Sequence, residues 1–329
     1  MTKTGNSATV LLALAISLGL IFGHFLPSLG ESLVDLTDLL VLCLLALLFF
    51  EVRFAPLRDA SRHLGFLSLA WVSNFLLIPV LGWGIASLFF GDQPALFAGL
   101  LLYLLFPCTD WFLAFTRIAK GDTALGSVLI PINLISQLLL FPVYLYLFIG
   151  LQTAFDLRLM WGTVVQWFLL PFLGAVVLRL LLSKALPPIR FEPIPRFSGS
   201  LVPWVLSALV FCIFSSHANQ LTAHPTAFPL ILLAVFLFFV LTWLLCEFLV
   251  RRFRLGRPQH VLLAMTTAAR NSPLMLGLAT IVIPDQPVVY AALIIGMLVE
   301  FPHLTLLSRL LLRKESRLKA STPAPINPI

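Results

Sequence analysis

The chain has 329 residues, 60% of them hydrophobic and 11% charged, where an ordinary soluble domain carries roughly 25% charged residues. Its solvent is therefore lipid. Long apolar runs satisfy their backbone at membrane depth as helices, so the fold class is an all-α polytopic membrane protein with no room for a soluble catalytic or ligand-sensing domain. The net charge of +7 is distributed as a topology signal and does not argue for a nucleic-acid partner.

Taken in chain order, runs long enough for a helix to cross ~30 Å of hydrocarbon are predicted at about 7–27, 35–52, 64–90, 95–118, 124–149, 159–182, 198–216, 226–250, 259–283 and 286–312. The first is too long for a signal-peptide core and has no small-residue cleavage pattern near His24-Phe25-Leu26-Pro27, so it is kept as a span. The third carries Asn74 within Trp71-Val72-Ser73-Asn74-Phe75. The fourth is interrupted at Phe106-Pro107-Cys108-Thr109-Asp110, and the ninth at Arg270-Asn271-Ser272-Pro273. In the fifth, Asn133 and Gln137 share a helical face, as Glu300 and His303 do in the tenth. These side chains either line one cavity or, as we prefer for the amide pair, bond neighbouring helices. His303 is either such a partner or a proton carrier. Glu51 and Glu247 stand at span ends beside arginines, where solvated anchoring is expected.

Basic residues fall on alternate loops: Lys3, then Arg53, Arg58 and Arg62, then Arg117 and Lys120, then Arg179, Lys184, Arg190 and Arg196, then Arg251, Arg252, Arg254 and Arg257, and the tail from Arg309 to Lys319. The opposite loops hold Arg158 with Glu31, Asp35, Asp92, Asp156 and Asp285. This asymmetry predicts both termini in the cytoplasm, in a bacterial inner membrane, with an even number of spans. Five spans in residues 1–150 and five in 151–315, ahead of a cytoplasmic tail at 316–329, form two halves of opposite orientation, the arithmetic of an inverted-repeat transporter.

Proline removes a backbone donor and clashes with the preceding turn, so both interrupted spans are expected to unwind there. Broken helices at matching places in two halves point to a binding site at the membrane midplane. Arg270 cannot lose its proton and costs several kcal/mol at bilayer depth unless a partner or cavity receives it. Asp110 is the opposite charge on the other interruption, and the two are expected to meet, either as an ion pair fixing helix register or as a gate that substrate or proton opens. Cys108, between a proline and a threonine, sits where a freed helix N-terminus favours its thiolate as a soft ligand. Cys43, Cys212 and Cys246 are read as small hydrophobes. No metal-ligand spacing links the four cysteines, and no cofactor is expected.

The run Pro107-Cys108-Thr109, followed by Ala119-Lys120-Gly121-Asp122, together with the Asn-containing ninth span and Leu298-Val299-Glu300-Phe301-Pro302, resembles the bile acid:sodium symporter superfamily. Within it, these residues are most similar to the arsenite-efflux permeases of the arsenical-resistance type. The resemblance implies ten spans in two inverted five-helix repeats, a panel and a core domain, fourth and ninth helices broken and crossing, and alternating access. It also places Cys108 at the fourth-span cysteine that acts in arsenite transport. Where sodium-coupled members carry a Ser-Asn pair and a Glu and Gln, this chain aligns Phe112, Leu113, Thr266 and Arg270. Only the threonine side chain can ligate a hard cation, so a sodium site of that type is not expected. The carboxylate that the arsenite branch has two residues after its ninth-span Asn is Pro273 here, and Asp110 is a possible replacement.

The sequence thus predicts a secondary transporter of a small anion or oxyacid, with arsenite-type efflux favoured and with protons or the membrane potential as driving force. The predicted binding or coupling residues are Cys108, Thr109, Asp110, Arg270, Asn271, Ser272, Asn74, Asn133 and Glu300. An organic-anion carrier without sodium is the alternative. An intramembrane enzyme is the distant one, since Glu300 with His303 lacks a nucleophile or metal partner.

Overall fold

The computed structural model describes residues 2–51, 63–109, 111–150, 162, 165, 169–219 and 227–320. Arg53, Arg58, Arg62, Asp110, Asp156, Arg158 and most of the first half of the sixth predicted span lie outside them. Regular structure among the described residues is helical, apart from one isolated β-bridge. The helices are α1 (Thr2–Phe25), α2 (Pro27–Ser32), α3 (Val34–Glu51), α4 (Leu64–Phe90), α5 (Pro94–Leu105), α6 (Trp111–Ile118), α7 (Thr123–Tyr144), α8 (Leu170–Ala185), α9 (Pro188–Phe191), α10 (Pro193–Ser216), α11 (Ala227–Arg252), α12 (Arg257–Ala268), α13 (Ser272–Val282) and α14 (Pro287–Ala320).

Five of these are long and apolar enough to cross a membrane alone: α4, α7 with its wider last turn, α10, α11 and α14. The fourth and ninth predicted spans are each divided into two short helices, α5 with α6 and α12 with α13. Side chains such as Leu14, Leu18 and Ile21 of α1 and Phe236, Leu244 and Phe248 of α11 are more than half exposed, which is the surface expected of helices solvated by lipid.

The helices pack in two groups. In one, α10 runs along α1 and α3, and α8 packs on α3. In the other, α5 is held between α4 and α14, α11 contacts α4, α12 and α14, and α12 packs on α6. The groups meet where α13 crosses α3 and where α1 and α10 approach α14. Glycines set the close approaches: a Cβ built at Gly23 of α1 would lie 2.1 Å from the Ser215 carbonyl oxygen of α10, so only a residue without a side chain lets these backbones touch.

Proline chemistry shapes the helices nearest the site. Pro79 takes the N–H that would bond the Phe75 carbonyl, α4 widens into a π-turn over Ser73–Leu77, and the released Phe75 carbonyl accepts from the Tyr144 hydroxyl of α7.

Candidate functional site: the helix crossing

Two prolines make the break. Pro107 pushes the residue before it into extended backbone, and Phe106 duly ends α5 at φ −114°, ψ 134°. On the other segment Ala269 ends α12 at φ −77°, ψ 134°, and Pro273, in the first turn of α13 where no N–H is needed, restarts the helix. The two extended stretches pair in antiparallel fashion. The Cys108 N–H donates to the Ala269 carbonyl at 3.0 Å and the Asn271 N–H to the Phe106 carbonyl at 3.0 Å, with Pro107 opposite Arg270.

Arg270 is fully buried, and the crossing explains its location. The break redirects three N–H groups away from the helical acceptors four residues earlier, those of Cys108 and Asn271 into the pairing and that of Arg270 to Glu300. Those acceptors are the carbonyls of Leu104, Thr266 and Thr267, and the Arg270 guanidinium takes all three: Nη1 donates to Leu104 at 3.2 Å, Nη2 to Thr266 at 3.2 Å and to Thr267 at 2.6 Å. A single cation thus caps the negative ends of α5 and α12 together. Its planar fork spans both ends, and its other side lies over the Phe238 ring, 5.4 Å from the centroid.

Glu300 of α14 does the converse at the start of α13. Its Oε1 accepts from the Arg270 backbone N–H at 3.0 Å and its Oε2 from the Ser272 hydroxyl at 3.2 Å, so the carboxylate faces the positive end of that half-helix. Gln137 of α7 clamps the crossing: its amide nitrogen donates to the Pro107 carbonyl at 2.9 Å, and its oxygen accepts from the Asn271 amide at 2.8 Å. The Asn271 amide also reaches Thr109 Oγ1 at 3.4 Å. One turn back on α12, Thr266 Oγ1 accepts from the Asn74 and Asn133 amides at 3.0 and 3.5 Å.

The predicted residues therefore fall into two linked clusters. Cys108, Thr109, Arg270, Asn271, Ser272 and Glu300 gather at the crossing, while Asn74 and Asn133 gather at Thr266, whose carbonyl joins it to Arg270. The expected contact between Asp110 and Arg270 lies outside the described residues. A narrow cleft opens from the crossing toward the first helix group. Leu12, Val202, Pro203 and Leu206 line one side, and Trp111, Arg270, Pro273, Met297, Glu300 and Phe301 the other. Cys108 does not line this cleft and is buried, at 1% exposure.

Several expectations are corrected. His303 does not line the cleft with Glu300; its ring stacks on Phe239 with centroids 3.7 Å apart. Glu247 is not a solvated anchor, because α12 brings His260 to 3.0 Å from it with both side chains largely buried. Cys43 is exposed, whereas Cys108, Cys212 and Cys246 are buried. Gln137, Thr266, Phe238 and Tyr103 belong to the neighbourhood of the site, yet Tyr103 and Phe238 gave no signal, since an aromatic in an apolar run looks like core. Thr266 was singled out only as the one aligned side chain able to ligate a hard cation, and here it accepts from Asn74 and Asn133. Among the described residues no group of three His, Cys, Asp or Glu side chains could hold a metal ion.

The chain is 27% identical over 208 residues to the arsenical-resistance protein Acr3 of Corynebacterium glutamicum, covering 58% of this chain and 56% of that protein. It is 22% identical over 258 residues to the Acr3 of Alkaliphilus metalliredigens, covering 70% of this chain and 72% of that protein. The chain thus matches a little over half the length of the first relative. The model of the Sodium Bile acid symporter family matches residues 37–224, more than half of the sequence and inclusive of the first broken helix. On that match the chain belongs to the sodium bile acid symporter family.

Proposed function

We propose that this protein is a secondary active transporter that exports a small oxyacid of the arsenite type, driven by protons or by the membrane potential and not by sodium. The observation that carries the reading is the Arg270 guanidinium, a permanent cation that occupies the junction of two half-helices and satisfies the carbonyls of both. A fixed cation there repels a mobile one, and Phe112 and Leu113 offer no side-chain oxygen to hold it. The narrow, mostly apolar cleft with Glu300 at its end favours a small, weakly acidic solute over a large organic anion. Two relatives named for arsenical resistance supply the substrate class.

In this reading the finer architecture is ten spans in two inverted repeats, with the group around α1, α3, α8 and α10 as panel and the group around α5, α12 and α14 as core. The core rocks against the panel and exposes the cleft to either side. Both termini face the cytoplasm of a bacterial cell. Cys108 supplies a reversible sulfur contact to trivalent arsenic, and Thr109, Asn271, Ser272, Asn74 and Asn133 keep the two half-helices in register.

The test is transport in everted membrane vesicles with arsenite, antimonite and a bile-acid-like organic anion, under sodium or proton gradients. Arsenite accumulation that follows the proton gradient and ignores sodium is expected. Accumulation driven by sodium alone would show that Arg270 does not replace a bound ion.

A further inference from the structure

The outer face of α11 is a lipid-facing stripe that ends on cations. Val240, Leu244 and Phe248 follow one another at four-residue spacing and are all exposed, the surface that a membrane helix turns to acyl chains. Arg252 continues the same spacing, Arg251 stands seven residues after Leu244, and both are exposed. From Val240 to Arg252 the helix rises ~18 Å, slightly more than the ~15 Å that is half of the hydrocarbon core. An acyl chain laid along the stripe therefore starts near the midplane and brings its headgroup to the two arginines.

The turn that follows holds a third cation in a conformation glycine would adopt more easily. The Leu255 N–H donates to the Val250 carbonyl at 3.1 Å, the closing bond of a Schellman cap, and Arg254 fills its left-handed position at φ 49°. An L side chain there costs free energy that glycine does not, so the fold alone gives no reason for an arginine. Phe253 is exposed beside it, with the Arg252 guanidinium 5.7 Å from its ring centroid. The helix dipole favours cations at this end but does not call for an exposed ring, whereas the membrane surface favours both. Among the described residues no carboxylate pairs with Arg251, Arg252 or Arg254. The acids nearby are engaged: Glu247 faces His260 at 3.0 Å, and Asp122, whose own N–H bonds the Pro258 carbonyl, accepts from the Leu125 N–H.

We propose that the end of α11 is a binding site for an anionic phospholipid, its phosphate held among Arg251, Arg252 and Arg254 and one acyl chain lying on Leu244 and Phe248. Guanidinium suits the phosphate because its fork donates two parallel hydrogen bonds. The site rests on α11 crossing the membrane and is independent of the substrate and of the coupling ion.

The experiment is binding of a fluorescent phosphatidylglycerol to the purified full-length protein in neutral detergent. Unlabelled phosphatidylglycerol, phosphatidylcholine with the same chains and soluble glycerol phosphate serve as competitors. Phosphatidylglycerol is expected to compete at least about tenfold better than phosphatidylcholine, and glycerol phosphate not at all. An arginine near an anionic headgroup is worth about fivefold in affinity, so Arg251→Gln with Arg252→Gln lowers the affinity for phosphatidylglycerol at least about tenfold and leaves that for phosphatidylcholine unchanged. Arg254→Gly lowers it about fivefold yet melts no lower than wild type without lipid, because glycine is the residue preferred at that position. Arg190→Gln alters an exposed arginine of α9, which packs on α10 in the other helix group, and should change nothing. Equal competition by the two lipids overturns the proposal, as does wild-type binding in the double variant. An equal loss in Arg190→Gln would reveal diffuse attraction in place of a site, and a lower melting temperature in Arg254→Gly would show that this cation serves the fold. Full competition by glycerol phosphate would make the end of α11 a soluble-anion site and refute the lipid.

Discussion

At the scale of single residues, Arg270 illustrates how a charge becomes tolerable at membrane depth. Pairing of the two extended stretches and the Glu300 carboxylate together strip three carbonyls of their helical donors, and a five-donor planar cation replaces them. A lysine keeps the charge but concentrates its donors at one point, so it cannot reach both helix ends. Arg270→Lys is therefore expected to destabilise the protein by about 2–4 kcal/mol, since each orphaned buried carbonyl costs roughly 1–3 kcal/mol. A melting temperature in detergent equal to wild type would show that the carbonyls have other donors. Cys108→Ser should fold normally, being nearly isosteric, and should lower arsenite export in vesicles at least about tenfold if sulfur contributes to substrate binding. Undiminished export would remove the thiol from the transport mechanism.

At the scale of elements, the crossing depends on side chains contributed by helices that do not themselves break. Gln137 of α7 holds one group from each interrupted segment, Pro107 and Asn271. A double-mutant cycle between Gln137→Ala and Asn271→Ala should yield a coupling of about 1 kcal/mol, within the range of interhelical hydrogen bonds in membranes. Additive losses would mean that the two amides act separately. The α1–α10 contact gives a steric counterpart. Gly23→Ala must part the helices, because its Cβ would overlap the Ser215 carbonyl, and overpacking of this kind costs about 1–3 kcal/mol. Gly65→Ala, where a Cβ meets nothing within 4 Å, is the matched control and should melt as wild type. At the end of α10, burial holds the His217 imidazole below its ordinary pKa, with Asp285 opposing. The folded state therefore binds fewer protons there than the unfolded chain, and this contribution to stability is lost as pH falls below about 6.5.

At the scale of the whole molecule, the alternation of basic and acidic loops predicts that reporters fused at the N-terminus and after Ala320 both register on the cytoplasmic side, and opposite sides would refute the even span count. Patterns of one residue type along the chain were legible before any coordinates. The composition excluded water as solvent, the apolar runs located the helices, and Pro107 and Pro273 marked both breaks, because proline acts on its own neighbours through covalent geometry. Asn133 and Gln137 were readable as interhelical partners for a similar reason, since an amide in lipid has few other uses. Partner choice was not legible. The sequence singled out Arg270 as a buried charge needing compensation and nominated Asp110, its nearest counterpart in the pattern. Asp110 lies outside the described residues; the partners that are described are three carbonyls and an aromatic face, and carbonyls carry no residue-specific signal. Glu300 was recognised as polar, but its position at the head of α13 follows from how α14 packs across the break. Local chemistry along the chain determined where the helices run and where they break; long-range packing decided which broken ends meet and which side chains satisfy them.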